Sequence, residues 1–217
     1  MKNWLRAGMA VFWKDILLEA RTKDMLVAIL VFSVLVIVIF NFAINPTPNM
    51  IGLVAPGILW VAFILGGMFG LTRTFGLERE GEALKGLLLA PVSRDAIFFG
   101  KMAAMFTLMM VVELVVFPVF AVLFNLPLWI PWLIPIAALA TLGIATIGTV
   151  FSAIAMNTRA REIMFPLLFL PITIPMIIAV VEASGMAIRG SESVEIYRWI
   201  PFMGAIDMIF LVICPAS

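Results

Sequence analysis

The sequence predicts an all-α integral membrane protein with six transmembrane helices and an amphipathic interfacial helix at its N-terminus. Three observations predict it. Of the 217 residues, 64% are hydrophobic and 12% charged, against about 45–50% and about 25% in a soluble domain. Apolar runs long enough, or nearly long enough, to cross a bilayer recur six times along the chain. Lys and Arg gather on alternate connections between those runs, as they do in multi-span proteins.

Residues 1–24 come first. Leu5, Met9, Phe12 and Ile16 recur at helical spacing, with Trp4 and Trp13 nearby and charges on the other side. Such a helix suits the cytoplasmic interface, with its indole rings at headgroup depth, and packing on the chain's own helices buries the same stripe equally well. A cleavable signal peptide is not indicated, because the first long apolar run starts only at Met25, after Lys14, Asp15, Glu19, Arg21, Lys23 and Asp24. A span needs roughly 20 apolar residues to cross about 30 Å of hydrocarbon at about 1.5 Å per residue. The expected spans are Met25–Ile44, Ile51–Thr72, Met102–Asn125, Trp132–Met156, Ile163–Ala183 and Ile200–Ala216, the last being short. Breaker-rich turns at Asn45–Asn49 and Leu126–Pro131 separate the first two pairs. No soluble stretch is long enough for a second domain, so residues 1–217 read as one transmembrane domain.

Twelve Lys and Arg residues fall before the first span and in the loops after the second and fourth, against two, Arg189 and Arg198, on the other side. Both termini and those loops are therefore expected in the cytoplasm. Trp129, Trp132, Tyr197 and Trp199 sit where the opposite aromatic belt belongs.

The stretch 73–101, expected in the cytoplasm, carries nine charges. Glu78, Arg79, Glu80, Glu82 and Lys85 lead into Leu84, Leu87 and Leu88, and Pro91 ends the run. A helix with that pattern can lie along the membrane and dock into a groove on a soluble partner, although charge runs are usually solvated loops.

The run Glu-Arg-Glu-x-Glu-x-Leu-x-x-Leu-Leu-Leu-Ala-Pro-Val-Ser-Arg from Glu78 to Arg94, followed by Gly100-Lys101, resembles the coupling region of six-helix ABC exporter permeases. Within that group the chain is most similar to the cytochrome c maturation permease, the haem exporter protein B (CcmB) family. Val112-Glu113 through Pro118, Arg159-Ala-Arg161-Glu162 through Pro166, Pro171 and Pro175, and Ala205-Ile-Asp207-Met-Ile-Phe210 carry this closer likeness. It spans nearly the whole chain, departing at the C-terminus, where the family's last helix is longer. The resemblance implies a non-catalytic membrane subunit of a cytochrome c biogenesis transporter. A separate ABC ATPase subunit would bind and hydrolyse ATP, and Glu78, Arg79, Glu80, Glu82 and Lys85 would transmit its motion. It also implies a prokaryotic inner-membrane location and further partners, either other cytochrome c maturation subunits or a second permease copy. Haem would be a transported or relayed ligand, and the narrower role is release of a haem-loaded chaperone. The residues agree that nucleotide binds elsewhere, since no Gly-x-x-x-x-Gly-Lys-Ser/Thr stretch exists. No nucleic-acid partner is expected.

Inside the spans, Glu113 and Asp207 interrupt apolar runs. An acid at such depth is expensive and normally faces protein or water. With no basic residue at comparable depth, a structural or coupling role is favoured over a substrate path. The fourth span carries Ala137, Thr141, Ala145, Thr149 and Ala153 at a spacing of four, and the second carries Ala62, Gly66 and Gly70. Such rows are expected to be helix-packing seams. Pro166, Pro171 and Pro175 predict a kinked or locally unwound fifth span, a candidate hinge or a static bend.

The chain has no histidine, so His ligation of haem iron is excluded. Met, Tyr197 and Cys214 remain chemically able to ligate it, but none lies in a recognisable motif. Neither a bound cofactor nor a metal site is expected. Two other functions fit the pattern: a permease for a lipid, drug or polysaccharide, and a membrane assembly factor that transports nothing.

Overall fold

A computed structural model describes residues 2–44, 48–80, 93–155, 161–191 and 193–213. Eight helices account for nearly all of these: α1 (Lys2–Thr22), α2 (Asp24–Ile44), α3 (Pro48–Glu80), α4 (Arg94–Leu123), α5 (Leu133–Ala155), α6 (Arg161–Arg189), α7 (Ser193–Tyr197) and α8 (Trp199–Ile213). Among the described residues, five helical stretches are long and apolar enough to cross a membrane: Asp24–Ile44, Met50–Thr72, Asp95–Leu123, Leu133–Ala155 and Met164–Arg189. The sixth expected span differs. Within the described residues α8 has 15 residues, which at about 1.5 Å each fall short of hydrocarbon about 30 Å thick. The expected end of this span, beyond Ile213, lies outside the described residues.

Several helices run past the ends that hydropathy sets. α3 continues through Arg73 to Glu80, because Glu, Arg and Leu are good helix formers whether or not hydrocarbon surrounds them. α4 starts eight positions before Met102, at Arg94, behind the extended Ser93 and with Asp95 in its first turn. An acid there complements the helix dipole. α6 extends past Ala183 to Arg189 and ends at Gly190 (φ 70°), whose N–H bonds Ala187 O at 3.3 Å while Ser191 N–H bonds Met186 O at 3.0 Å. That double closure is a Schellman cap. Asn125 (φ 51°) closes α4 in the same way, with Leu126 N–H on Ala121 O at 2.8 Å. Lys23 (φ 57°) breaks α1 from α2, and Glu19 Oε1 accepts from Leu26 N–H at 2.8 Å to satisfy the start of α2.

α5 is the central helix, packed against α3, α4, α6 and α8. Thirteen of its 23 residues are buried, from Ile136 to Ala155. α2 lies against α3 and α4, and α1 packs on α4. On α2 the buried row is Met25, Ile29, Ser33 and Ile37, while Val27, Val31, Leu35 and Ile39 are each about half exposed. Leu114 on α4, Leu167 on α6 and Val212 on α8 are also left uncovered. So much apolar surface needs lipid or partner subunits around it. Buried hydroxyls are largely satisfied within their own helix. Thr146, Thr149, Thr173 and Ser184 each donate to the carbonyl four residues earlier, at 2.6–3.0 Å.

α6 is helical without interruption across Pro166, Pro171 and Pro175, so the expected local unwinding is absent. Pro171 and Pro175 face outward from the bundle, where a carbonyl left without its N–H partner disturbs no neighbouring helix.

Candidate functional site

Two regions bring chemistry-bearing residues together. The first is at the base of α4. Gly8 of α1 crosses Gly100 of α4 so closely that a Cβ on Gly100 would lie 2.6 Å from Gly8 O. Val11 is buried in the same contact. Beside it Lys101, 7% exposed, places Nζ 3.6 Å from Asp15 Oδ2, and Asp15 Oδ1 lies 2.9 Å from Lys14 Nζ. A buried ammonium needs such a counter-charge. Trp4 and Phe99 meet edge to face at 5.8 Å. The face of α1 that packs is therefore Gly8, Val11 and Asp15, and of the two expected settings for the apolar stripe, packing on the chain's own helices is not met at Leu5 and Met9. Leu5 and Met9 of that stripe are 61% and 64% exposed, and Phe12 and Ile16 are partly buried. Glycine at positions 8 and 100 lets the two backbones approach closely there.

The residues expected to couple to an ATPase, Glu78 to Lys85, precede Gly100 by fifteen to twenty-two positions. Glu78, Arg79 and Glu80 form the last turn of α3. Glu82 and Lys85, with the leucines that follow them, lie outside the described residues, as do Arg159 and Cys214.

The second region surrounds α5. Glu113 of α4, 2% exposed, accepts a hydrogen bond from Thr141 Oγ1 of α5 through Oε1, while its Oε2 has no hydrogen-bond partner among the described residues. Asp207 of α8 is equally buried, and neither of its oxygens has a hydrogen-bond partner there. Its Oδ1 occupies space that a side chain on Gly143 would need, 2.6 Å from where the Cβ would sit. The two acids thus press on α5 from α4 and α8, at positions two residues apart. Among the described residues no group of three or more His, Cys, Asp or Glu could hold a metal ion.

The small-residue rows sit as follows. Gly66 lies where a Cβ would be 2.7 Å from Ser33 Oγ, and one on Gly70 would be 2.7 Å from Ile29. Ser33 Oγ donates across the same contact to Ala62 O at 3.2 Å. On α5, Ala137, Thr141, Ala145 and Thr149 are buried, whereas Ala153 is exposed. At the opposite end from the α1 crossing, Arg189 of α6 lies over Gly52 of α3 and donates to its carbonyl at 3.1 Å. Trp60 Nε1 donates to Ser184 Oγ at 2.8 Å between the same two helices.

A family profile described as CcmB protein matches residues 6–217. The chain belongs to the CcmB protein family. Its relatives agree. A protein named heme exporter protein B from Paracoccus denitrificans (strain Pd 1222) is 28% identical over 95% of this chain and 94% of its own length. The protein of that name from Rhodobacter capsulatus is 29% identical, covering 77% and 76%. The one from Haemophilus influenzae is 30% identical, covering 71% and 72%. The CcmB match takes in the base of α4, the charged end of α3 and both buried acids.

Sequence reasoning identifies Glu113 and Asp207 because a charge inside an apolar run is conspicuous. It misses Gly8, Gly100 and the Asp15–Lys101 pair, which lie some ninety residues apart and form no periodic row. The resemblance includes Gly100-Lys101 only as the opening of the third span and gives it no partner.

Proposed function

We propose that this CcmB-family chain is the membrane permease subunit of an ABC system for cytochrome c maturation. In this role it converts ATP hydrolysis by a separate subunit into haem export or release of a haem-loaded chaperone. The observation that carries the reading is the family match over residues 6–217, joined to a charged segment between α3 and α4. The chain itself is non-catalytic. It crosses the inner membrane six times, counting α8, with both termini cytoplasmic. α1 lies at the cytoplasmic interface, the side that the Lys and Arg distribution favours.

Glu78, Arg79, Glu80, Glu82 and Lys85 are then the contact surface for the ATPase. α3 supports this reading, since one unbroken helix joins Glu80 to the membrane span. A displacement at its charged end is transmitted as rigid-body motion. α4 is held by α1 at Gly8–Gly100 and by Glu113 on Thr141, so closure of an ATPase pair would move α3 relative to a braced α4. Glu113 and Asp207 serve as interhelical braces of α5, and Pro166, Pro171 and Pro175 give α6 its compliance. No residue of this chain is assigned to haem iron, and a second permease copy or another subunit completes the transporter.

The test is co-purification. Glu80→Lys combined with Glu82→Lys is expected to abolish recovery of the ATPase subunit with the chain while leaving membrane insertion intact. Undiminished recovery of the ATPase would contradict the assignment of this segment.

A further inference from the structure

Between α1 and α4 lies an apolar cleft of about 280 Å³. Its floor is the Gly8–Gly100 crossing, and Trp4, Leu5, Met9 and Phe99 wall it. The volume lies near the small end for ligand pockets, about 300–1,000 Å³, and suits a single slender chain better than a ring system. Its surroundings are asymmetric in charge. The two acids of α1 are turned inward: Asp15 is held between Lys14 and Lys101, and Glu19 is 6% exposed and bonded to Leu26 N–H. Arg6, next to Leu5 of the wall, is exposed, and the Lys14 side chain, two positions past Phe12, is 38% exposed. Asp95, next to Ala96 of the wall, is an exposed acid, so with Lys101 and Asp15 the described charges around the cleft sum to one positive. An outward cation, Arg6, beside an apolar slot with the Trp4 indole in its wall matches the two ends of one molecule.

We propose that this cleft holds one acyl chain of an anionic phospholipid, whose headgroup the outward Arg6 of α1 selects. The proposal rests on the reading above that α1 lies at the cytoplasmic interface. Bound there, the lipid would wedge α1 against the base of α4, next to the segment that meets the ATPase.

The probe is phosphatidylglycerol with brominated acyl chains, as a minority component of phosphatidylcholine vesicles containing the full chain. Trp4 fluorescence is taken as the difference between wild type and Trp4→Phe. Quenching of Trp4 is expected to exceed the level set by the lipid's mole fraction, and brominated phosphatidylcholine at the same fraction is expected to fall short of it. Ala103→Phe, which fills the cleft from α4, should return quenching to that level, with Ala103→Leu as a milder filling. Arg6→Gln should cut the preference for the anionic lipid by roughly fivefold, the worth of one cation near such a headgroup. Quenching proportional to mole fraction for both lipids in the wild type would overturn the site. Quenching of the other tryptophans with none of Trp4 would instead overturn the interfacial position of α1. Quenching of Trp4 in the isolated chain but not in chain purified with its partner subunits would give the cleft to a protein and overturn the proposal.

Discussion

At Gly66 the space for a side chain is already taken by Ser33 and Ile29 of α2. Gly66→Val must push α2 and α3 apart or break the Ser33–Ala62 bond, an overpacking change of about 1–3 kcal/mol. Gly57 has nothing within 4 Å of its Cβ direction, so Gly57→Ala should leave the melting temperature of the detergent-solubilised protein unchanged while Gly66→Val lowers it. Thr141→Val removes the one hydrogen bond to Glu113. Bonds of this kind between membrane helices are worth about 1 kcal/mol, so a fall in melting temperature of roughly 2–4 °C is expected. Glu113→Gln keeps an acceptor for Thr141 and should melt close to wild type. Glu113 and Asp207 can be picked out from sequence alone, because an acid in hydrocarbon is conspicuous. Thr141 cannot: in a row with Ala137 and Ala145 it counts as a small residue, and its role as donor depends on which helix lies opposite.

Among the elements, α2 to α6 follow directly from apolar runs, because twenty apolar residues in hydrocarbon have no alternative to a helix. Their ends do not. Hydropathy stops at Thr72, but the helix stops at Glu80. It also gives Met102 as the start of α4, where Ser93 and Asp95 begin it eight residues earlier. The side on which α1 packs is equally hidden. Its large apolar residues suggest the contact, and glycine makes it. Gly100→Leu should therefore lever α1 from α4, since even a Cβ there meets Gly8 O and Val11. Limited proteolysis of the purified protein should cut between α1 and α2, near Lys23, faster in this variant than in wild type. Equal rates would mean that the crossing is not what holds α1.

For the molecule as a whole, the packing scheme has a mechanical consequence. α5 touches four other helices and is buried along most of its length, so it acts as the fixed post of the bundle. α3 carries the charged end and is fastened to α6 by Trp60–Ser184 and Arg189–Gly52. Motion delivered to Glu80 should therefore reach the far side through α3 and α6 together. Loosening that linkage with Trp60→Phe or Arg189→Gln is expected to leave ATPase co-purification intact while lowering the yield of mature cytochrome c. The function itself is tested most directly by haem covalently attached to cytochrome c in a strain from which this gene is deleted. Loss of holo-cytochrome c is expected, restored by the wild-type chain and not by Glu80→Lys with Glu82→Lys. Normal holo-cytochrome c in the deletion strain would contradict the proposed function.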